Sequence, residues 1–218
     1  MKGNNFSVTI FGASGLVGKH LLQQLILNPS CNLIQIPVRS RLHIEHSKIR
    51  EVPFAFNQEE YHSLSPTDVV VCAVGTTQKK VRGNQNAYRK VDHDIAVHAA
   101  EWAENTGCKQ YQLISAIGAN AHRGNFYTRL KGEIEHKIFQ TSIPQIVCFR
   151  PSLLLGKRNE TRWAEGIGQL LLPLLAILIP QKYRPIKALE LAKIMMKKME
   201  LCHQNVSFKL IWEKGNSE

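Results

Sequence analysis

The chain has 218 residues, of which 44% are hydrophobic and 21% charged, with a formal net charge of +11. That length suits one α/β domain over residues 1–218, and the apolar fraction is enough for a full core. The basic charge is scattered, clustering only at Lys79-Lys80-Val81-Arg82 and between Lys193 and Lys198. Without a nucleic-acid motif it points to solubility and an anionic ligand, not to a specific nucleic-acid partner.

The first strand is expected near 6–12, in a β-branched run that leads into Gly12-Ala13-Ser14-Gly15-Leu16-Val17-Gly18. A helix pattern over 15–28 starts at once. Gly12 permits a tight turn, Gly15 lets backbone N–H groups approach a phosphate, and Gly18 lets the helix pack close to the strand. The helix N-terminus adds unpaired donors and a favourable dipole for an anion. The spacing is G-x-x-G-x-x-G. A glycine triplet alone is a weak signal, but the strand before it and the helix after it are the context a dinucleotide loop requires. Asn28-Pro29 ends the helix.

Further strands are expected near 33–38, 51–56 and 68–74, with loops over 40–50 and 76–85. A long helix near 86–105 ends at Thr106-Gly107. Then come a strand near 110–115, a helix near 125–140, a strand near 145–150, helices near 162–172 and 187–201, and a strand near 206–211. This alternation predicts a Rossmann-like doubly wound parallel sheet of three layers. A small helical elaboration over about 152–200 is expected on the substrate side. Residues 167–180 are apolar apart from Gly168 and Gln169 and are interrupted by Pro173. The run is shorter than the roughly 20 residues a transmembrane helix needs. It reads as a core helix and turn, with a hydrophobic substrate pocket or an association surface left open. No transmembrane segment or peripheral membrane attachment is expected, and a monomer or homodimer fits equally.

The five cysteines, at 31, 72, 108, 148 and 202, form no C-x-x-C pair. Together with an N-terminus that reads as a strand and not as a signal peptide, they lead to the expectation of a reduced, cytoplasmic protein. The nine histidines show no metal-ligand spacing, so no metal site is expected. Trp163 and Trp212 read as packing residues. No G-x-S-x-G or Cys/His pattern indicates hydrolysis.

A dinucleotide fold usually places an acid at the end of its second strand to hold the ribose 2′-OH. Here that position reads Val38-Arg39-Ser40-Arg41, with no carboxylate. A guanidinium suits the 2′-phosphate of NADP, so NADP(H) is the expected cofactor. Arg39 is the first candidate, Arg41 the second, and Ser40 lies between them. Further on, Tyr127 and Lys131 are four apart on a predicted helix and share a face. A neighbouring ammonium stabilises a phenolate, which fits a tyrosine for acid/base work at neutral pH. Ser115 ends the fifth strand, where α/β folds place ligands, and could donate to a substrate carbonyl.

In that order, Gly12-x-x-Gly15-x-x-Gly18, Ser115, Tyr127-x-x-x-Lys131 and Arg150-Pro151-Ser152 resemble the short-chain dehydrogenase/reductase superfamily in its extended or atypical branch. Val71 to Lys80, Tyr88-Arg89-Lys90-Val91-Asp92 and Leu130-Lys131-Gly132-Glu133-Ile134-Glu135 look like the Tat-interacting-protein-like oxidoreductases. The resemblance runs over most of 6–200. It implies that Gly12, Ser14, Gly15, Leu16 and Val17 line the pyrophosphate and that Arg39 takes the 2′-phosphate. Val74, Gly75 and Thr76 would flank the adenosine and ribose. Tyr127 and Lys131 would be catalytic, with Pro151 beside the nicotinamide. The superfamily often carries an asparagine in the long helix, supporting a proton relay through the lysine, where this chain reads Val91-Asp92-His93-Asp94. The expected activity is hydride transfer between NADP(H) and a small-molecule carbonyl or alcohol. The alternatives are a non-catalytic NADP(H)-binding regulator and an NADP-using epimerase or dehydratase. The intact Ser/Tyr/Lys set favours the reductase.

Overall fold

The computed structural model describes residues 5–76, 81–156, 180–204 and 206–215. Seven parallel strands form one sheet: β1 (Phe6–Phe11), β2 (Cys31–Val38), β3 (Ile49–Pro53), β4 (Val69–Cys72), β5 (Gln110–Ile114), β6 (Gln145–Arg150) and β9 (Phe208–Glu213). Their order is β3-β2-β1-β4-β5-β6-β9. A separate two-stranded pair joins β7 (Leu154–Leu155) to β8 (Ile186–Lys187). This is the doubly wound topology expected from the alternating pattern. The chain runs outward through β2 and β3, returns across β1 and continues through β4. The gap between β1 and β4 is therefore the switch point, where such sheets bind ligands.

Helices cover both faces. On one, α1 (Leu16–Leu27) packs against α5 (Ala188–Met199). Leu21, Leu25, Leu191, Met195 and Met199 are fully buried beside Val8, Ile10, Ile34 and Ile36. On the other face, α3 (Ile95–Asn105) and α4 (Phe126–Phe139) cover Val70, Cys72, Tyr111 and Ile146. Strands buried on both faces need continuous apolar runs, and Val69–Cys72 is such a run. The expected helix at 162–172, Trp163, and most of the apolar 167–180 run lie outside the described residues.

Buried glutamines interrupt the apolar sheet face under α5 for a structural reason. Gln112 donates to the Met195 carbonyl (3.1 Å), Gln110 to that of Lys198 (2.9 Å) and Gln145 to that of Leu201 (3.0 Å). The carbonyls at a helix C-terminus lack intrahelical partners, and these amides supply them. A short 3₁₀ turn at Gln58–Ser63, which the sequence pattern does not announce, drops Tyr61 into an aromatic cluster. Tyr61 stacks on Phe11 at 5.6 Å and meets Phe54 edge-on at 5.0 Å.

The long helix expected over 86–105 is divided. α2 (Gln85–Arg89) passes into a π turn at Lys90–Asp94 before α3 begins. The wider turn takes up extra backbone and changes the helical phase. Ile95, Ala96, Ala99 and Ala103 face the sheet, while Asp92 is buried at 3% exposure toward α4.

Candidate functional site

The glycine loop and the loop after β4 meet at the switch point. Ala73 N–H donates to the Phe11 carbonyl at 2.9 Å. A Cβ on Gly12, whose φ is +88°, would lie 2.8 Å from the Ala73 backbone, so only glycine allows this approach. α1 then starts from Gly15 with no side-chain cap and no acid in its first turn. The Gly15 N–H is already bonded to the Gly12 carbonyl at 2.9 Å, so the first free N–H groups and the dipole left for an anion are those of Leu16, Val17 and Gly18. Ser14 is exposed beside them. These residues fit a pyrophosphate. A Cβ on Gly156 would lie 2.6 Å from the Leu16 side chain, so the chain after β7 packs close to the start of α1.

Arg39, Ser40 and Arg41 follow β2 and are all exposed. Among the described residues neither guanidinium makes an ion pair or a hydrogen bond, so both are available. The loop carrying them is anchored from β3. The Glu51 carboxylate accepts the Leu42 and Ile44 amides, each at 3.0 Å. Burial works to raise the Glu51 pKa, and these amide bonds outweigh it and hold it below the usual carboxylate value. Arg39 also borders a cavity of about 400 Å³, with Pro53, Phe54, Ala55 and Glu60 on its other sides. Sequence reasoning named Arg39 but missed this wall, because β3 and the turn after it carry no motif.

Ser115 lies just beyond β5, 3% exposed, and its amide donates to the Phe149 carbonyl at 2.7 Å. Its hydroxyl is buried without a hydrogen-bond partner among the described residues. Pro151 stands beside it, its carbonyl accepting Ile117 N–H at 3.0 Å. A desolvated hydroxyl costs free energy unless something pairs with it, so this one is an open donor at the C-terminal edge of the sheet.

The loop after Ser115 runs back along α4, where Asn120 N–H donates to the Thr128 carbonyl at 3.1 Å. Asn125 caps α4 by accepting Thr128 N–H at 2.9 Å. Tyr127, in the first turn, is 36% exposed and meets Tyr88 edge-on at 6.3 Å. One turn on, Lys131 is buried with its ammonium 5.9 Å from the centre of the Tyr127 ring. The i, i+4 spacing therefore brings the two together as expected.

No spacing in the sequence indicates a partner for Lys131. Its ammonium pairs with Asp92 at 3.0 Å, the two side chains being 4% and 2% exposed. Burial works to lower the Lys131 pKa, but Asp92, with a contribution from Tyr127, outweighs it and holds the ammonium above the ordinary lysine value. The other Asp92 oxygen accepts Thr76 N–H at 2.6 Å, and Tyr88 donates its hydroxyl to the Thr76 carbonyl at 3.1 Å. Val74 and Gly75 precede Thr76 on the same loop. The signal available in the sequence was Tyr88-x-x-x-Asp92, two polar groups at helical spacing on an otherwise apolar face.

No protein-family model matches the chain. The chain is similar to the mitochondrial protein fmp52 of Emericella nidulans, with 33% identity over 171 residues covering 75% of this chain and 73% of the relative. It is also similar to rat HTATIP2, with 31% identity over 173 residues covering 77% and 71%. Among solved structures, a UDP-N-acetylglucosamine 4-epimerase from Bacillus cereus superposes with a TM-score of 0.67 at 16% identity, covering 98% of this chain and 80% of that one. The Bordetella bronchiseptica enzyme WbmG in complex with NAD gives 0.69 at 13% identity, covering 97% and 74%. The likeness to these two enzymes is one of fold.

The expectation of a cytoplasmic protein is corrected by these findings, since fmp52 relatives from several fungi are named mitochondrial proteins. That expectation came from the unpaired cysteines and from an N-terminus that reads as a strand. All five cysteines are free and buried, and burial pushes Cys31 and Cys202 up to about 11 and Cys108 up to about 12. Such thiols act as core hydrophobes and carry no information about compartment. No helix among the described residues is long and apolar enough to cross a membrane.

Proposed function

Because the chain belongs to the family of the fmp52 and HTATIP2 proteins, within the extended short-chain dehydrogenase/reductase superfamily, we propose that it is an NADP(H)-dependent oxidoreductase acting on a carbonyl or alcohol. The observation that carries this reading is the buried Ser115 hydroxyl at the sheet edge, without a partner among the described residues, on a loop that runs along the helix bearing Tyr127 and Lys131. When bound, the nicotinamide supplies or accepts the hydride. Ser115 donates a hydrogen bond to the substrate oxygen and fixes its direction. Tyr127 gives that oxygen a proton in reduction and takes it back in oxidation. Lys131 holds its charge beside Tyr127 and offers the N–H groups not used by Asp92 to the ribose. Gly12, Ser14, Gly15, Leu16, Val17 and Gly18 form the pyrophosphate loop, and Val74, Gly75 and Thr76 flank the ribose. Pro151 abuts the nicotinamide. Arg39, with Ser40 and Arg41, binds the 2′-phosphate, which makes NADP(H) the preferred nucleotide. The names of the fungal relatives support a mitochondrial setting.

The test is titration of the protein with NADPH and NADH, wild type against Arg39→Ala. A charge-assisted hydrogen bond contributes about 1.5–3 kcal/mol, so NADPH is expected to bind roughly 10- to 100-fold tighter than NADH. Arg39→Ala should remove most of that margin and leave NADH unaffected. Equal affinities in the wild type refute the 2′-phosphate site, and no binding of either nucleotide refutes the function.

A further inference from the structure

The chemistry above gives Asp92 no part, yet both of its oxygens are committed. We propose that Asp92 is a positioning residue that ties the catalytic lysine, Lys131, to the nucleotide-side backbone at Thr76. The inference rests on the function proposed above and assigns that site a further residue.

Three observations converge on it. One Asp92 oxygen holds the Lys131 ammonium at 3.0 Å and the other holds Thr76 N–H at 2.6 Å, so one rigid carboxylate spans α4 and the loop after β4. The site is closed, with the two charged side chains 4% and 2% exposed, so neither can turn to water instead. Asp92 reaches the site from the π turn at Lys90–Asp94. π turns within helices occur often where a side chain must be redirected at a functional site. Tyr88, one helical turn earlier, bonds the Thr76 carbonyl, so both sides of that residue are fixed from one element.

A charged carboxylate does something here that a neutral amide would not. Lys131 faces Tyr127 on its own helix, the Cys72 thiol at the end of β4, and Asp92. Glu135, one turn further along α4, is already engaged by Arg150. Asp92 is thus the only anion paired with the Lys131 ammonium among the described residues. It fixes one N–H of that ammonium and leaves the rest to turn toward ribose and Tyr127. It also keeps the lysine charged when a bound nucleotide excludes water from the loop.

Asp92→Asn separates this role from scaffolding, because the amide oxygen still accepts Thr76 N–H while the charge is gone. The Lys131 side chain is titrated by NMR in the nucleotide-free protein, and NADPH binding is measured over a range of pH. The lysine midpoint is expected to fall by at least about one pH unit in Asp92→Asn. NADPH affinity of that variant should drop roughly tenfold as pH rises past the new midpoint, while the wild type stays level. An unchanged midpoint, or an affinity loss independent of pH, overturns the proposal. Should Asp92→Asn fail to fold, the same change is made in a Lys131→Met background. There it should leave NADPH affinity where Lys131→Met alone puts it, and a further tenfold loss overturns the proposal. If the wild type binds neither NADPH nor NADH, the proposed function fails, and the lysine titration alone still decides whether Asp92 governs Lys131.

Discussion

The Asp92–Lys131 pair makes a quantitative prediction about stability. Asp92→Asn leaves an ammonium that is 4% exposed without its counter-charge. Removing one partner of a buried pair costs about 3–5 kcal/mol, because the remaining charge stays desolvated. Unfolding entropy near 2.1 cal/mol/K per residue gives about 0.46 kcal/mol/K for a chain of 218 residues, so the melting temperature should fall by about 7–11 °C. Lys131→Met alone should cost a similar amount, since it strands the carboxylate. The double variant, with a neutral amide against an apolar chain, removes both desolvation penalties and should lie within about 1–2 kcal/mol of wild type. The two sites are then coupled by about 3 kcal/mol or more. Thermal and denaturant unfolding followed by circular dichroism at neutral pH measures the cycle. The folded-state pKa of Lys131 is raised, so its share of the stabilisation is complete below the ordinary value of 10.5 and is lost as pH rises through the higher folded value. The wild-type margin over Lys131→Met should therefore hold from neutral pH to about 9 and shrink in strong alkali. Additive single-variant losses, or a margin that disappears near neutral pH, would refute the reasoning.

A Cβ at Gly18 would lie 2.1 Å from the Gly12 carbonyl oxygen and 2.9 Å from Ala13 Cα, both backbone atoms of the phosphate loop. Gly18→Ala should therefore lower the melting temperature and abolish NADPH binding together, and a stable variant with wild-type affinity would contradict the close packing. Asp68 accepts both the amide and the hydroxyl of Ser7 and pairs with Lys109 at 2.7 Å. Burial works to raise its pKa, but the bonds from Lys109 and Ser7 prevail and hold it below 3.8. Its contribution is thus present above pH 3.8 and lost as pH falls through the lower folded value, and acid unfolding of Asp68→Asn should be shallower over that range. Ser115→Ala removes a buried hydroxyl that has no partner among the described residues, so the nucleotide-free protein should be as stable as wild type or up to about 1 kcal/mol more stable. Its turnover on any accepted carbonyl should fall by roughly 10²–10³, as for loss of one oxyanion donor, and a marked loss of stability would mean the hydroxyl is paired after all.

The parts of the site that were legible in the sequence are those fixed by short-range spacing. Gly12, Gly15 and Gly18 are recognisable because one turn needs all three, and Tyr127 and Lys131 because 3.6 residues per turn puts them on one face. Arg39 was readable from its place at the end of β2. What escaped depends on contacts across the fold. Asp92 lies 39 positions before Lys131, and nothing in Val91-Asp92-His93-Asp94 distinguishes the buried acid from the neighbouring Asp94, which pairs with His93. The π turn was equally hidden, because no glycine or proline interrupts 85–105 to mark it. The glutamines at 110, 112 and 145 carry no local signal of burial, since their partners are carbonyls of α5 and the turn after it, more than 50 positions away in the chain.

The same distinction explains how Tyr127 is held. Leu130, Ile134 and Ile138 bury the apolar face of α4, but apolar burial is non-directional and tolerates sliding along the helix axis. Two charges on that inward face, one turn apart, do not tolerate it. Lys131 pairs with Asp92 on the π turn, and Glu135 takes Arg150 in two bonds, one of them 2.9 Å from Nε, with Arg150 also reaching Glu213 on β9. The two pairs draw α4 toward opposite neighbours, the helical layer on one side and the sheet on the other. Their contribution to net stability is small if each is compared with well-packed apolar residues. Their contribution to register is large, because a shift of α4 by even one residue would separate both pairs inside a closed core. The proposed proton transfer by Tyr127 would require its hydroxyl at a fixed place, and a helix located by directional pairs at both turns supplies that, where one located by leucines and isoleucines alone would not.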